Sequence, residues 1–148
     1  MRTSSGTRQS PESLIELTLR YRHSLGALAP YLEGLAVGRA VASSCPVCRR
    51  TWFPPRLGCC SRTGPVRWTV LAGTGRIVAG TNGGGTLPFG GGPAGEGVAL
   101  IALDGAENLA LGWVDGFGEV PPEGTRVRLV TSDRHPSHPA QAARFVPE

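Results

Sequence analysis

The chain has 148 residues, 40% of them hydrophobic, and a formal net charge of +4. That length suits one ordinary domain, or a small domain with an appendage, and no stretch has the apolar length needed to span a bilayer. Its 22 glycines and 13 prolines favour short strands and many turns over long helices.

Met1 to Ser10 is polar and lacks the apolar centre of a secretory signal, so a cytoplasmic location is expected. Ser10-Pro11-Glu12 reads as a helix start: a capping serine, a proline at the first helical position and an acid in the first turn. Leu14, Leu17, Tyr21, Leu25 and Leu28 then recur at three- and four-residue steps and give one apolar face. That face either docks on the protein's own body or binds a partner. Gly26 and Pro30 weaken or end this helix. A second short helix is expected over Tyr31 to Ala36, closed by Gly38.

Arg39 to Ser44 reads as a short strand leading into a cysteine cluster. All four cysteines fall within it: Cys45 and Cys48, then Cys59 and Cys60. From Val66 onward the pattern becomes all-β. Strands are expected over Val66 to Leu71, Arg76 to Ala79, Val98 to Leu103, Leu109 to Val114 and Thr125 to Thr131. Gly73-Thr74-Gly75 suits a bulge or sharp bend, and Asp104-Gly105 and Asp115-Gly116 suit turns. Five short strands with glycine bends fit a small Greek-key barrel of the OB type. The expected organisation is a tail and helical lead over 1–38, a zinc-ribbon-like module over 39–65 and an OB-fold barrel over 66–148.

Two close cysteine pairs joined by a short loop are the usual framework of a tetrahedral thiolate site. In a reducing compartment such clusters point to metal more than to disulfides. A ribbon this small has little apolar core of its own, so bound zinc would be structural scaffold. A regular second knuckle would place a cysteine three residues after Cys59, where the chain has Arg62. Either Cys60 takes the fourth corner, or the ribbon folds on the packing of Trp52, Phe53 and Pro54.

The glycine-rich loop from Gly80 to Gly97 has no Gly-Lys-Ser/Thr and no following helix, so it is read as a barrel loop and not as a phosphate cradle. His23, His135 and His138 have no convincing set of metal-ligating neighbours in sequence. No recognisable nucleophile motif is present, and no self-contained active site is read. All fifteen basic residues are arginine. Met1 to Arg67 carries ten Arg against three acids, whereas Trp68 to Glu148 carries five against eight. A basic front half is either a solvated surface or a site for phosphates. The alternative function is single-strand nucleic-acid binding by the OB fold. It is weakened because the barrel half is net negative and Trp68, Phe89, Trp113, Phe117 and Phe145 have no interleaved basic series.

The order of parts resembles a known family. Pro30-Tyr31-Leu32-Glu33-Gly34-Leu35, Gly38-Arg39, Cys45-x-x-Cys48, Phe53-Pro54-Pro55-Arg56 and Cys59 together resemble the acyl-CoA-associated OB-fold proteins. That family carries an N-terminal rubredoxin-like zinc ribbon and was long classed as a domain of unknown function. Trp68 before Gly73-x-Gly75, Val98 to Asp104, Leu111-Gly112 and Phe145-Val146-Pro147 agree with it. The resemblance runs from about Pro30 to the C-terminus. It implies a non-catalytic subunit that assembles with a thiolase-like or ketosynthase-like enzyme handling acyl-CoA or acyl-carrier-protein substrates, in some members within polyketide or other natural-product pathways. It also implies zinc on Cys45, Cys48 and Cys59. Pro54 and Pro55 would stiffen the ribbon tip and present Phe53 and Arg56 as anchors for the partner or its substrate. Otherwise Phe53 fills the gap between ribbon and barrel.

Overall fold

In the computed structural model, residues 22, 24–59, 62–82, 97–115, 122–132 and 143–148 are described, without the side chains of 62, 63 and 82. The expected helix start at Ser10, most of the Gly80 to Gly97 loop, Phe89, Phe117, the three histidines and Cys60 lie outside them.

A single 3-10 turn, Gly26–Leu28, runs directly into the helix α1, Ala29–Ala36. Pro30 sits in the first turn of α1, where its missing N–H is no loss, so it opens the helix. Gly38 then takes φ +69, the left-handed conformation that ends helices, and its N–H donates to the Leu35 carbonyl at 3.1 Å. Tyr31, Gly34 and Leu35 form the buried face of α1.

Five short strands follow: β1 (Ala40–Ser44), β2 (Thr51–Trp52), β3 (Gly58–Cys59), β4 (Arg62–Pro65) and β5 (Arg67–Leu71). β1 is central in a three-stranded antiparallel sheet, with β2 on one side and β5 on the other. β3 and β4 form a separate ribbon. The remaining strands are β6 (Thr74–Asn82), β7 (Gly97–Leu103), β8 (Leu109–Val114), β9 (Arg126–Val130) and β10 (Arg144–Pro147). They close into a barrel in the order β10-β8-β7-β6-β9. All its pairings are antiparallel except β10 against β8. Counted from β6, the circuit runs first, second, third, fifth and fourth strand, the five-stranded Greek-key closure of an OB-like barrel.

The expected fold class is therefore present among the described residues: mainly β, with a short helix, a cysteine-bearing ribbon and a closed five-stranded barrel. One stave differs. The strand expected over Val66 to Leu71 is β5, which pairs with β1 along five residues and takes no part in the barrel. The fifth stave is β10, which reads in sequence only as a closing Phe-Val-Pro segment. Phe145 supplies the reason: it is fully buried, and its ring lies where a side chain on Gly112 would be. A Cβ on Gly112 would come within 2.5 Å of that ring, so only glycine lets β8 and β10 approach as they do.

Period-two burial lines the barrel. Ile101 and Leu103 on β7, and Val127 and Leu129 on β9, point inward and alternate with more exposed neighbours. The same buried cluster continues outside the barrel through Ala40, Ala42, Phe53, Tyr31 and Leu35. Helix, ribbon base and barrel thus share one continuous core.

Candidate metal centre and the ribbon base

Cys45 ends β1 and begins a tight knuckle. The Cys45 N–H donates to the Arg50 carbonyl, and the Arg49 N–H donates to the Cys45 carbonyl, both at 2.9 Å. Arg49 closes the turn at φ +60, a conformation uncommon outside glycine. The knuckle turns Cys48 back so that its N–H points at the Cys45 Sγ at 3.5 Å. Cys59 arrives from β3, and its Sγ lies 3.6 Å from the Cys48 Sγ.

Among the described residues these three sulfurs form a metal-sized cluster, all within 4.8 Å of one another. Four sulfurs at about 2.3 Å around one tetrahedral ion would be about 3.8 Å apart, so the spacing fits three corners of such a site. The electrostatics also fit. The N–H groups of Cys48 and Val47, directed at the Cys45 sulfur, lower its pKa to about 7, and burial only partly opposes them. For Cys48 the Arg50 N–H acts in the same direction, but burial and the two neighbouring thiols outweigh it and raise that pKa. One thiol is thus readied as thiolate, while Cys48 resists further negative charge until a cation shares it. A cavity of about 210 Å³ adjoins the cluster, lined by Cys45, Pro46, Val47, Cys59, Pro65 and Arg67 among others.

The run Phe53-Pro54-Pro55-Arg56 lies at the ribbon's base. Phe53 is fully buried and packs edge-on against Tyr31, with ring centroids 5.5 Å apart. That packing also buries the Tyr31 phenol and pushes its pKa up. Phe53 therefore belongs to the protein's own core. The expectation of an exposed anchor fails for it because α1 and the ribbon close over the ring. The Phe53–Pro54 peptide is cis, and Pro54 and Pro55 are half-buried. Arg56 is exposed, with its guanidinium 5.6 Å from the centre of the Trp52 ring, within cation–π range.

Three further residues hold this arrangement together. Asn108, in the turn between β7 and β8, accepts the Phe53 N–H at 2.8 Å and donates to the Pro54 carbonyl at 3.2 Å. Ser43, fully buried in β1, accepts the Arg56 N–H at 2.9 Å. Tyr31 supplies the aromatic wall. In the sequence Asn108 looks like an ordinary turn residue. The clue at Ser43 is a polar residue on a strand whose first four positions are all buried.

The barrel's described aromatics offer little to stack a base. Trp113 and Phe145 are buried, and Trp68 lies on β5, outside the barrel. No described helix is long and apolar enough to cross a membrane.

No family model matches the chain, and no curated protein matches it. Solved structures do. One is a protein of unknown function from the DUF35 family of Sulfolobus solfataricus. It is 17% identical with a TM-score of 0.57, and the match covers 83% of this chain and 86% of that one. Another is the DUF35 chain of the Ltp2–ChsH2 aldolase. It is 22% identical with a TM-score of 0.59, and the match covers 85% of this chain and 98% of that one. The structural neighbours are thus DUF35 proteins, in keeping with the former domain-of-unknown-function family that the sequence resembles. At these identities the likeness establishes the shared fold.

Proposed function

We propose that this chain is a non-catalytic accessory subunit of a thiolase-like or ketosynthase-like acyltransferase complex. The complex would handle acyl-CoA or acyl-carrier-protein substrates in bacterial secondary metabolism. The observation that carries the reading is the shared architecture, helix, ribbon and OB-like barrel, with a chain whose structure is named as an aldolase of Ltp2 with a DUF35 subunit. The residue resemblance supports it independently through the Phe53-Pro54-Pro55-Arg56 run between the cysteines.

In this reading Cys45, Cys48, Cys59 and Cys60 hold structural zinc. The three described thiols have the donor chemistry and spacing for three of its corners. The ion, when bound, would link the knuckle to β3 in a segment with little apolar core of its own. The ribbon base, through Pro54, Pro55 and Arg56, would border the partner or its substrate. Phe53 would act from within, by holding that surface in place.

Co-expression with a thiolase-fold enzyme from the same genome tests the reading. The expected result is a stable complex that survives affinity purification and gel filtration. Two proteins that elute separately at micromolar concentration would overturn it.

A further inference from the structure

Four arginines are hung from one three-residue run. Arg49 and Arg50 are tied by backbone hydrogen bonds to Cys45, and Arg56 donates its N–H to the Ser43 Oγ. Arg67 stands opposite Ser44 in the β1–β5 ladder. All four side chains are exposed. The ribbon carries no acid of its own, because no Asp or Glu occurs between Glu33 and Glu96.

In the barrel, two of the four described arginines are paired with acids. Arg126 meets Asp104 at 2.9 Å and Glu148 at 3.4 Å, and Arg144 meets Asp115 at 2.6 Å. Among the described residues, none of the four ribbon arginines makes an ion pair. Like charges carried on one small module repel each other, and an oppositely charged partner removes that cost.

We propose that the ribbon is a docking surface for an acidic protein face with an apolar centre. Val47 and Leu57, 63% and 54% exposed, stand near Arg49 and Arg56 in the sequence and offer the apolar part of the contact. Arginine beside exposed aliphatic side chains is the composition of protein interfaces, where arginine is often an energetic anchor. Nucleic acid fits less well, because the ribbon's aromatics Trp52 and Phe53 are buried and leave no stacking platform. Trp68 is exposed but lines a groove with Val37, Arg39 and Val70, whereas its neighbour Arg67 lines the cavity beside the cysteines. Adjacent strand residues face opposite ways. That the partner is an enzyme subunit rests on the accessory-subunit reading; the acidity of its surface does not.

The test is fluorescence anisotropy on the full chain with three labelled probes. They are a helical peptide of glutamate and leucine, the same peptide with glutamine for glutamate, and oligo(dT). The glutamate peptide should bind at low salt and weaken as salt rises, and the glutamine peptide should not bind. Arg50→Glu/Arg67→Glu should weaken binding by about tenfold or more, and the paired Gln variant by less. Arg128→Glu on the barrel should leave it unchanged, and circular dichroism should confirm that each variant is folded. Three outcomes would overturn the proposal: no binding of the glutamate peptide, tighter binding of oligo(dT), or an equal loss with Arg128→Glu. Peptide binding without co-purification of a thiolase-fold enzyme from the same genome would remove the accessory-subunit reading and leave the docking surface standing.

Discussion

Asn108 grips the backbone on both sides of the Phe53–Pro54 bond: its Oδ1 accepts the Phe53 N–H at 2.8 Å and its Nδ2 donates to the Pro54 carbonyl at 3.2 Å. One side chain in a barrel turn thus fixes the base of the ribbon. The neighbouring backbone adds to the grip, with the Glu107 N–H donating to the Thr51 carbonyl at 2.8 Å. Ribbon and barrel are joined by polar groups with defined geometry as well as by shared apolar burial.

Asn108→Ala removes both hydrogen bonds and leaves the Phe53 N–H without its acceptor beside a fully buried ring. The expected cost is about 1–3 kcal/mol. Urea unfolding should show a lower midpoint with an unchanged slope, and an unchanged midpoint would deny Asn108 this role.

Phe53→Ala tests whether the ring is core or contact surface. A fully buried phenylalanine truncated to alanine typically costs about 3–5 kcal/mol. The isolated protein should lose stability on that scale before any partner is added. Little loss in isolation, coupled with a large loss of complex formation, would return Phe53 to the surface.

Metal content should follow the cysteines. Elemental analysis is expected to find one zinc per chain, lost in Cys45→Ser, Cys48→Ser and Cys59→Ser. Cys60→Ser should lose it as well if the fourth corner is a thiolate. A chelator should lower the melting temperature of the native protein and leave Cys45→Ser nearly unaffected. Zinc retention should decline as pH falls, because protons compete with the ion for the thiolates.

Asp104 provides a separate pH signature. The Thr74 hydroxyl and the Arg126 guanidinium donate to its carboxylate, at 2.7 and 2.9 Å, and hold its pKa below the usual carboxylate value. A group with a lowered folded pKa stabilises the fold above its unfolded pKa and loses that contribution as pH falls through the folded one. The stability difference between the native protein and Asp104→Asn should therefore be present at neutral pH and shrink below about pH 4. The group is exposed, so the difference should be small and weaker in high salt.

Much of this architecture is legible in the residues. The alternation Val127/Leu129 against Arg126/Arg128, the apolar run Val98 to Leu103 and the turn Asp104-Gly105 mark strands and bends by local rules. The cysteine cluster is legible because Cys-x-x-Cys spacing is set by the knuckle's own geometry. What escapes is long-range pairing. Val66 to Leu71 looks like any strand, and nothing local tells it to join β1 and not the barrel. β10 is short and depends on the absence of a side chain at Gly112, over thirty residues earlier. Asn108 and Ser43 matter through backbone groups that are distant in sequence. Phe53 had two readings, anchor or filler, and its burial decides for the core.

The most direct measurement is reconstitution of a thiolase-fold enzyme from the same genome with and without this chain, following acyl transfer and complex mass together. An accessory subunit should show negligible turnover alone, form a defined complex and raise the enzyme's rate or stability on mixing. Robust transfer by the isolated chain, or an enzyme indifferent to its presence, would contradict the accessory role.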